Sequence, residues 1–517
     1  MLAEPIFLRY RCSAAASTGR AIINGQANSR EVIRKLLTRL KVQGFKNLVD
    51  VDLRFGPFTC IAGANGVGKS NLLDVITFLS SLADRPLVEA AMSVRSDSTR
   101  YGDVSALFTQ QGEWRSPNMR FEAEMIVPRE GVDELGQTAK ATTTFLRYVL
   151  ELRLREPARG SVAGPLEVVH EELVHVRYSD AKRNLSFSPS AAWIGSVIPS
   201  TRRSAPYIST EGEGSTARVL IHLDGAHSGK PRPFIAENLP RTVLSTTTAL
   251  ENRTAALARI EMRSWRFLQL EPSALRKADS FNSPVRLGPD GGHLASALYY
   301  LAHRSPESPE AIYGHLAKQV SQLVEDIREV YVERDPKRET MALRIRTRDG
   351  TDLPAHALSD GTLRFLALSF IDLDPDTTGV LCLEEPENGI HPARLPDMLA
   401  LLKGIACNIT QAVDDNNPLR QVIVNTHSPS LTMEVSPEDL VLAKAHDVKM
   451  NAGRYSRGVG FFWLSDTWRA KADPDHIAPI GDILPYLNSV SPRQLPLFGE
   501  EAFQRVADRA DVTAALR

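Results

Sequence analysis

One eight-residue run constrains this 517-residue chain more than any other: Gly63-Ala64-Asn65-Gly66-Val67-Gly68-Lys69-Ser70, of the form G-x4-G-K-S. It follows the apolar run Phe58–Ala62, which reads as a short buried parallel strand. It opens a stretch in which Leu72, Leu73, Ile76, Leu79 and Leu82 share one helical face. Strand, glycine loop and helix in that order make an anion cradle. The glycines let backbone N–H groups wrap a phosphate, and the helix N-terminus adds positive potential. A glycine turn before a helix is the plainer reading of the loop alone, and the flanking elements decide against it. Lys69 is expected to reach the β- and γ-phosphates of a nucleotide, and the Ser70 hydroxyl to ligate Mg2+.

Three later segments gain meaning from that loop. Gly379-Val380-Leu381-Cys382-Leu383-Glu384-Glu385-Pro386 is an apolar strand ending in two carboxylates. Such a strand presents both at the C-terminal edge of a parallel sheet, where ligands bind. Two glutamates after a strand are ordinarily a solvated end. Downstream of a phosphate loop they form a Walker B element, with Glu384 on the metal shell and Glu385 polarising the attacking water. Leu358-Ser359-Asp360-Gly361-Thr362-Leu363-Arg364 precedes it, with Ser359 as a helix N-cap and Gly361 leaving the backbone accessible. Asn425-Thr426-His427-Ser428-Pro429 follows the strand Val422-Ile423-Val424. A histidine there is usually structural, but one strand after Walker B it becomes a candidate γ-phosphate contact.

Taken together, GxNGxGKSN (Gly63 to Asn71), LSDGT, LCLEEPENGIHP and a strand ending in THSP resemble the ABC-type ATPases grouped with SMC, RecF and OLD proteins. The resemblance extends to stand-alone bacterial ATPases, including ATPase subunits of phage-defence systems such as Septu and retron-associated ones. It covers residues 37–85 and 340–450, and the insertion between them only in outline. It implies an α/β fold: an ABC-type P-loop head split by a long mixed α+β insertion. It also implies ATP and Mg2+ as ligands, ATP hydrolysis, and a homodimer closed around ATP. In such a dimer Ser359 and Gly361 would touch the γ-phosphate of the opposing copy, with Arg364 supporting the signature helix. Glu387, Asn388, Gly389 and His391 would line the dimer seam, and His427 would be the switch histidine. Lys46 and Asn47 match the loop that brackets adenine and the α-phosphate, and Gln110 and Gln111 lie where a Q-loop glutamine belongs. Asp360 departs from the family by replacing the usual signature glycine.

The expected organisation is a loose tail over 1–36, a first ATPase part over 37–135 and an insertion over 136–340. A second ATPase part over 341–450 and an extension over 451–517 follow. Alternation near 120–180 predicts antiparallel strands, and the Ser-, Thr-, Gly- and Pro-rich 185–245 predicts loops. Helices are expected near 245–270, 292–303, 309–329 and 393–408.

Composition narrows what hangs on this ATPase. Sixty-one basic and 62 acidic residues leave a formal charge of −1, so no whole-molecule field draws the chain to nucleic acid or membrane. Four scattered cysteines indicate neither a zinc site nor a disulfide framework and fit a reducing cytoplasm. No run of 18 apolar residues suggests a membrane span. After His427 the only Asp-x-Asp is Asp473-Pro474-Asp475, flanked by charge and proline, unlike the strand-borne carboxylates of a Toprim nuclease. The favoured expectation is therefore an ATP-gated dimer that regulates or carries a separate effector protein, a nuclease or toxin, in antiviral defence. Its competitor is a RecF-like repair or maintenance clamp. In that reading Arg241, Arg253, Arg259, Arg263 and Arg266 track a nucleic-acid backbone and Trp265 stacks on a base. A transporter subunit fits the large β-rich insertion poorly.

Overall fold

The computed structural model describes residues 36–483 except 95–102, 156–163, 200–204, 225–228, 415 and 450–454, together with 506, 509 and 511. The tail expected over 1–36 lies outside these residues except for Leu36, as does most of the C-terminal extension.

A six-stranded sheet carries the motifs. Its order is Arg266–Leu268, Gly379–Glu384, Arg420–Thr426, Phe58–Ala62, Leu440–Lys449 and Tyr455–Phe462. All neighbouring strands are parallel except the last pair. A strand inside such a sheet is covered on both faces, which explains its unbroken apolar sequence. In Gly379–Glu384, Val380 and Cys382 enter one core, whereas Leu381 and Leu383 enter another. The first core holds the helix Lys69–Leu82. The second holds Asp360–Leu373, Leu395–Ile405 and Leu294–Arg304.

An eight-stranded antiparallel sheet lies across the Lys69–Leu82 helix and shares its core. It begins with the hairpin Leu36–Phe45 and Leu48–Arg54 and continues through Asn118–Ile126, Phe145–Leu154 and Leu166–His175. Three short strands, Ile208–Glu211, Arg218–Ile221 and Arg232–Ile235, complete it. The sheet runs without a break across residue 135, because Asn118–Ile126 pairs with Phe145–Leu154 over its whole length.

Three local expectations need correction. Residues 185–245 are not only loop: they hold the helix Ala191–Val197 and the three short strands just named. The helix expected over 309–329 ends at Ser321, and Ile327–Asp335 is a strand paired with Thr340–Thr347. Within 245–270 only Arg253–Arg263 is α-helical, and Arg266–Leu268 adds a parallel edge strand beside Gly379–Glu384. Short apolar runs read alike as helix or strand until their neighbours are known.

The two large sheets are tied by one fully buried amide. Gln421 Oε1 accepts from Leu37 N at 3.0 Å, and its Nε2 donates to the carbonyls of Leu37 and Gly56, both at 2.8 Å. Removing that amide leaves one buried N–H and two buried carbonyls without partners, each a cost of about 1–3 kcal/mol. Gln421→Leu is therefore expected to destabilise the protein by about 2–4 kcal/mol, seen as a lower midpoint in a thermal melt. An unchanged midpoint would mean that the amide does not clamp the sheets.

Candidate functional site

The three central strand ends meet at one edge of the parallel sheet. Register pairs Ala62 with Thr426 and Asn425 with Glu384, so the phosphate loop, both Walker B carboxylates and the histidine motif leave the sheet side by side. Gly66 and Gly68 have φ of +75° and +115°, backbone that L side chains rarely adopt. Ala64, Asn65 and Gly66 are exposed, so the loop presents its main chain outward. Lys69 starts the helix and folds back over the loop, with Nζ 2.6 Å from the Gly63 carbonyl and 2.9 Å from that of Ala64. Burial lowers its pKa, and the Glu384, Glu385 and Glu387 charges oppose that shift.

Ser70 Oγ lies 2.5 Å from Glu384 Oε1, and Asn425 Nδ2 is within 3.5 Å of both. Hydroxyl and carboxylate oxygens at one point are the hard donors that Mg2+ prefers. The donor set therefore fits the metal that the sequence implies.

Glu385 has φ +44°, uncommon for a residue with a side chain. Its N–H is shared between the Asn425 carbonyl and Asn425 Oδ1, each at 3.1 Å. Its Oε1 lies 2.6 Å from His427 Nδ1 and its Oε2 accepts from Asn388 Nδ2 at 2.9 Å. An ionised carboxylate only accepts, so Nδ1 carries the hydrogen. Burial pushes the Glu385 pKa up, but the bonds from Asn388 and His427 and the nearby Lys69 charge outweigh it and hold the group below the ordinary glutamate value. Glu387 behaves in the opposite way: it is buried, and burial raises its pKa despite a hydrogen bond from Thr426.

Ser359 caps the helix Asp360–Leu373, accepting from Thr362 N at 3.2 Å. Asp360 is held by Arg276, which also donates to the Leu358 carbonyl at 3.0 Å. Arg364 donates to the carbonyls of Asn388 and of Leu270, the latter at 3.2 Å. Gly361 sits against the loop after Walker B, where an added Cβ would lie 3.0 Å from the Gly389 carbonyl. His391 caps the next turn through Nδ1, which accepts from Ala393 N.

Other expected residues take braced positions. Lys46 Nζ lies 2.8 Å from Asp74 Oδ2, on the helix behind the loop. Asn47 Nδ2 donates to the Val67 carbonyl and its Oδ1 accepts from Asn71 Nδ2, both at 2.8 Å, which clips the loop to its helix. A Cβ on Gly68 would come within 2.3 Å of that amide, so the close approach requires glycine. Gln110 and Gln111 form a short strand, where Gln111 Nε2 donates to the Tyr455 carbonyl at 2.6 Å.

Part of the arginine-rich segment is turned inward, while Arg253 is exposed and Arg241 half-buried. Arg259 is buried against the Thr247 carbonyl and Glu134, and Arg263 bonds Glu134 and Asp84. Trp265 is buried and donates to Glu261 Oε1 at 2.8 Å, so it cannot stack on a base. Arg266 is largely covered and donates to the Leu287 carbonyl at 2.6 Å. Spacing counted the charges but not the carboxylates that fold back onto them. Asp473 accepts from Asp475 N and His476 Nδ1, serving as the cap of a short turn. Asn425, which the sequence motifs give no role of its own, is set directly opposite Glu384 by the strand register, and no sequence signal announces that pairing.

The family model described as "AAA domain, putative AbiEii toxin, Type IV TA system" matches residues 58–126 and 216–434, more than half of the chain. A DNA replication and repair protein RecF from Phocaeicola vulgatus is 32% identical over 79 residues, 15% of this chain and 21% of that protein. An OLD nuclease from Thermus scotoductus is 29% identical over 166 residues, 25% of this chain and 30% of that protein. The chain thus spans less than a third of the length of either relative. A solved SMC head bound to the C-winged helix domain of ScpA is 13% identical with a TM-score of 0.40, covering 83% of this chain and 98% of that one. The chain belongs to the family of that AAA-domain model and is similar, over part of its length, to RecF and OLD proteins of the ABC-type ATPase group.

Proposed function

We propose that the protein binds Mg2+ and ATP and hydrolyses ATP between two copies of itself, and that this cycle regulates or carries a separate effector protein, a nuclease or toxin, in bacterial defence against phage. The observation that carries the ATPase reading is the convergence of Lys69, Ser70, Glu384, Glu385 and His427 at one sheet edge. In this reading the loop N–H groups from Gly63 to Asn71 wrap the phosphates and Lys69 leaves its loop carbonyls for the β- and γ-oxygens. Ser70 and Glu384 would hold the Mg2+, which neutralises phosphate charge when bound. Glu385 accepts a proton from water as that water attacks the γ-phosphorus and the β-phosphate oxygen leaves. His427 fixes the carboxylate through Nδ1 and keeps Nε2 for the γ-phosphate. Ser359 and Gly361 of an opposing copy complete the site.

The defence role rests on the resemblance to stand-alone defence ATPases and on the toxin-system description of the family model. A RecF-like clamp on DNA is the second reading, favoured by the short RecF matches. On the Arg253–Arg263 helix it could draw on Arg253, which is exposed, but not on Arg259, which is buried against Glu134. Purifying the Glu385→Gln protein from its host with ATP separates the two. A stoichiometric protein partner supports the effector reading, and nuclease-sensitive DNA without one supports the clamp.

Glu385→Gln is expected to lower kcat by about 10²–10⁴-fold while ATP still binds and holds two copies together, read by phosphate release and light scattering. Lys69→Ala should lose ATP binding itself, measured by calorimetry. Because Glu385 works ionised and its pKa is held down, kcat/KM should fall on acidification only below the ordinary glutamate range. His427→Ala removes one bond to the charged form, so the acid limb of its residual activity should move to higher pH. A limb that stays in place or moves down would remove the histidine from the account.

A further inference from the structure

The signature segment and the Walker B carboxylate are joined inside one subunit by a chain of short contacts. Arg364, buried on the signature helix, donates to the main-chain carbonyl of Asn388. The side chain of the same Asn388 donates to Glu385 Oε2 at 2.9 Å. Beside this link the two segments pack with almost no slack. A Cβ on Gly361 would lie 3.0 Å from the Gly389 carbonyl, and one on Gly389, where φ is +77°, would lie 3.1 Å from Asp360 Cβ. Arg276 anchors Asp360 from the other side.

We propose that Asn388 is a positioning residue for hydrolysis, and that the Arg364–Asn388 link passes the docking of the signature segment to the Glu385 carboxylate of the same subunit. This rests on the reading of Glu385 as the base. The physical case has two parts. Glu385 leaves its strand in left-handed backbone, a conformation that a residue with a side chain keeps only where the surrounding contacts hold it. Two hydrogen bonds, one to each oxygen, set the carboxylate plane, and only the one from His427 comes from the neighbouring strand. The other comes from a loop packed closely against the signature helix, where an added Cβ at 361 or 389 would crowd the facing segment, and joined to it by the Arg364 hydrogen bond. A signature segment drawn onto the nucleotide of an opposing copy would therefore carry the Asn388 peptide with it and reorient Glu385. Asn388, Ser359 and Asp360 are exposed, on the open side of this contact.

The test compares Asn388→Ala with Asn388→Asp, which keeps the shape but loses the donor. Both should lower kcat on the order of 10–100-fold, the usual cost of a misplaced group, with KM for ATP and ATP-dependent association unchanged. Arg364→Met should lower kcat too, and combining it with Asn388→Ala should cost no more than Asn388→Ala alone. Activity within twofold of the parent in either Asn388 variant overturns the proposal, as does a raised KM or lost association at unchanged kcat. Additive losses in the double variant overturn the Arg364 limb. Glu385→Gln run alongside keeps the two readings apart. If it still hydrolyses ATP at the parental rate, the base assignment has failed. If it does not, and the Asn388 variants are fully active, only the relay has failed.

Discussion

The pairing of Phe58–Ala62 with Arg420–Thr426 is the contact on which the rest of the molecule depends. Backbone hydrogen bonds there join segments more than 350 residues apart in sequence, and they do so in one register. That register sets Ala62 beside Thr426 and, one strand further, Asn425 beside Glu384. A slip of one residue would turn every side chain of a strand to its other face. Val380 and Cys382 would then exchange cores with Leu381 and Leu383, and Glu384 would turn away from Ser70. Core packing and site geometry are thus the same constraint seen from two sides.

Hydrogen-bond donors around that pairing explain how charged groups persist at the sheet edge. Glu384 and Glu385 are adjacent acids, yet each has its own partners: Ser70 and Asn425 for the first, His427 and Asn388 for the second. Glu387 lies deeper and has mainly Thr426, and its pKa moves up where that of Glu385 moves down. Glu385 and Glu387, two positions apart, are therefore shifted in opposite directions. The difference comes from the hydrogen-bond donors each one has, because desolvation alone pushes all carboxyls in one direction.

The antiparallel sheet gives the site its rigidity. It shares a core with the helix Lys69–Leu82, and Gln421 clamps its first strand to the strand that ends in the histidine motif. Asn47, from the turn between its first two strands, clips the phosphate loop to its own helix through Val67 and Asn71. The loop is held from behind by a sheet that supplies none of the catalytic side chains named for it. Arg276 and Arg364 play the matching part on the signature side, where Asp360 takes a charge that the usual glycine would lack.

The sequence by itself determined the local form of each segment: the phosphate loop, the strand ending in paired carboxylates, the capped signature helix and the strand before His427. Each is encoded in adjacent residues with a fixed period, so local rules suffice. The tertiary structure alone decided matters that depend on distant partners. It turned Arg259 inward, because Glu134, 125 residues away, lies within reach only after folding. It made Arg266–Leu268 a strand, because Gly379–Glu384 offers an open parallel edge there. It also placed Arg364 on the main chain of Asn388. No periodicity can announce such contacts, since the hydrogen bonds that fix them join separate elements whose approach is set by the packing of the whole core.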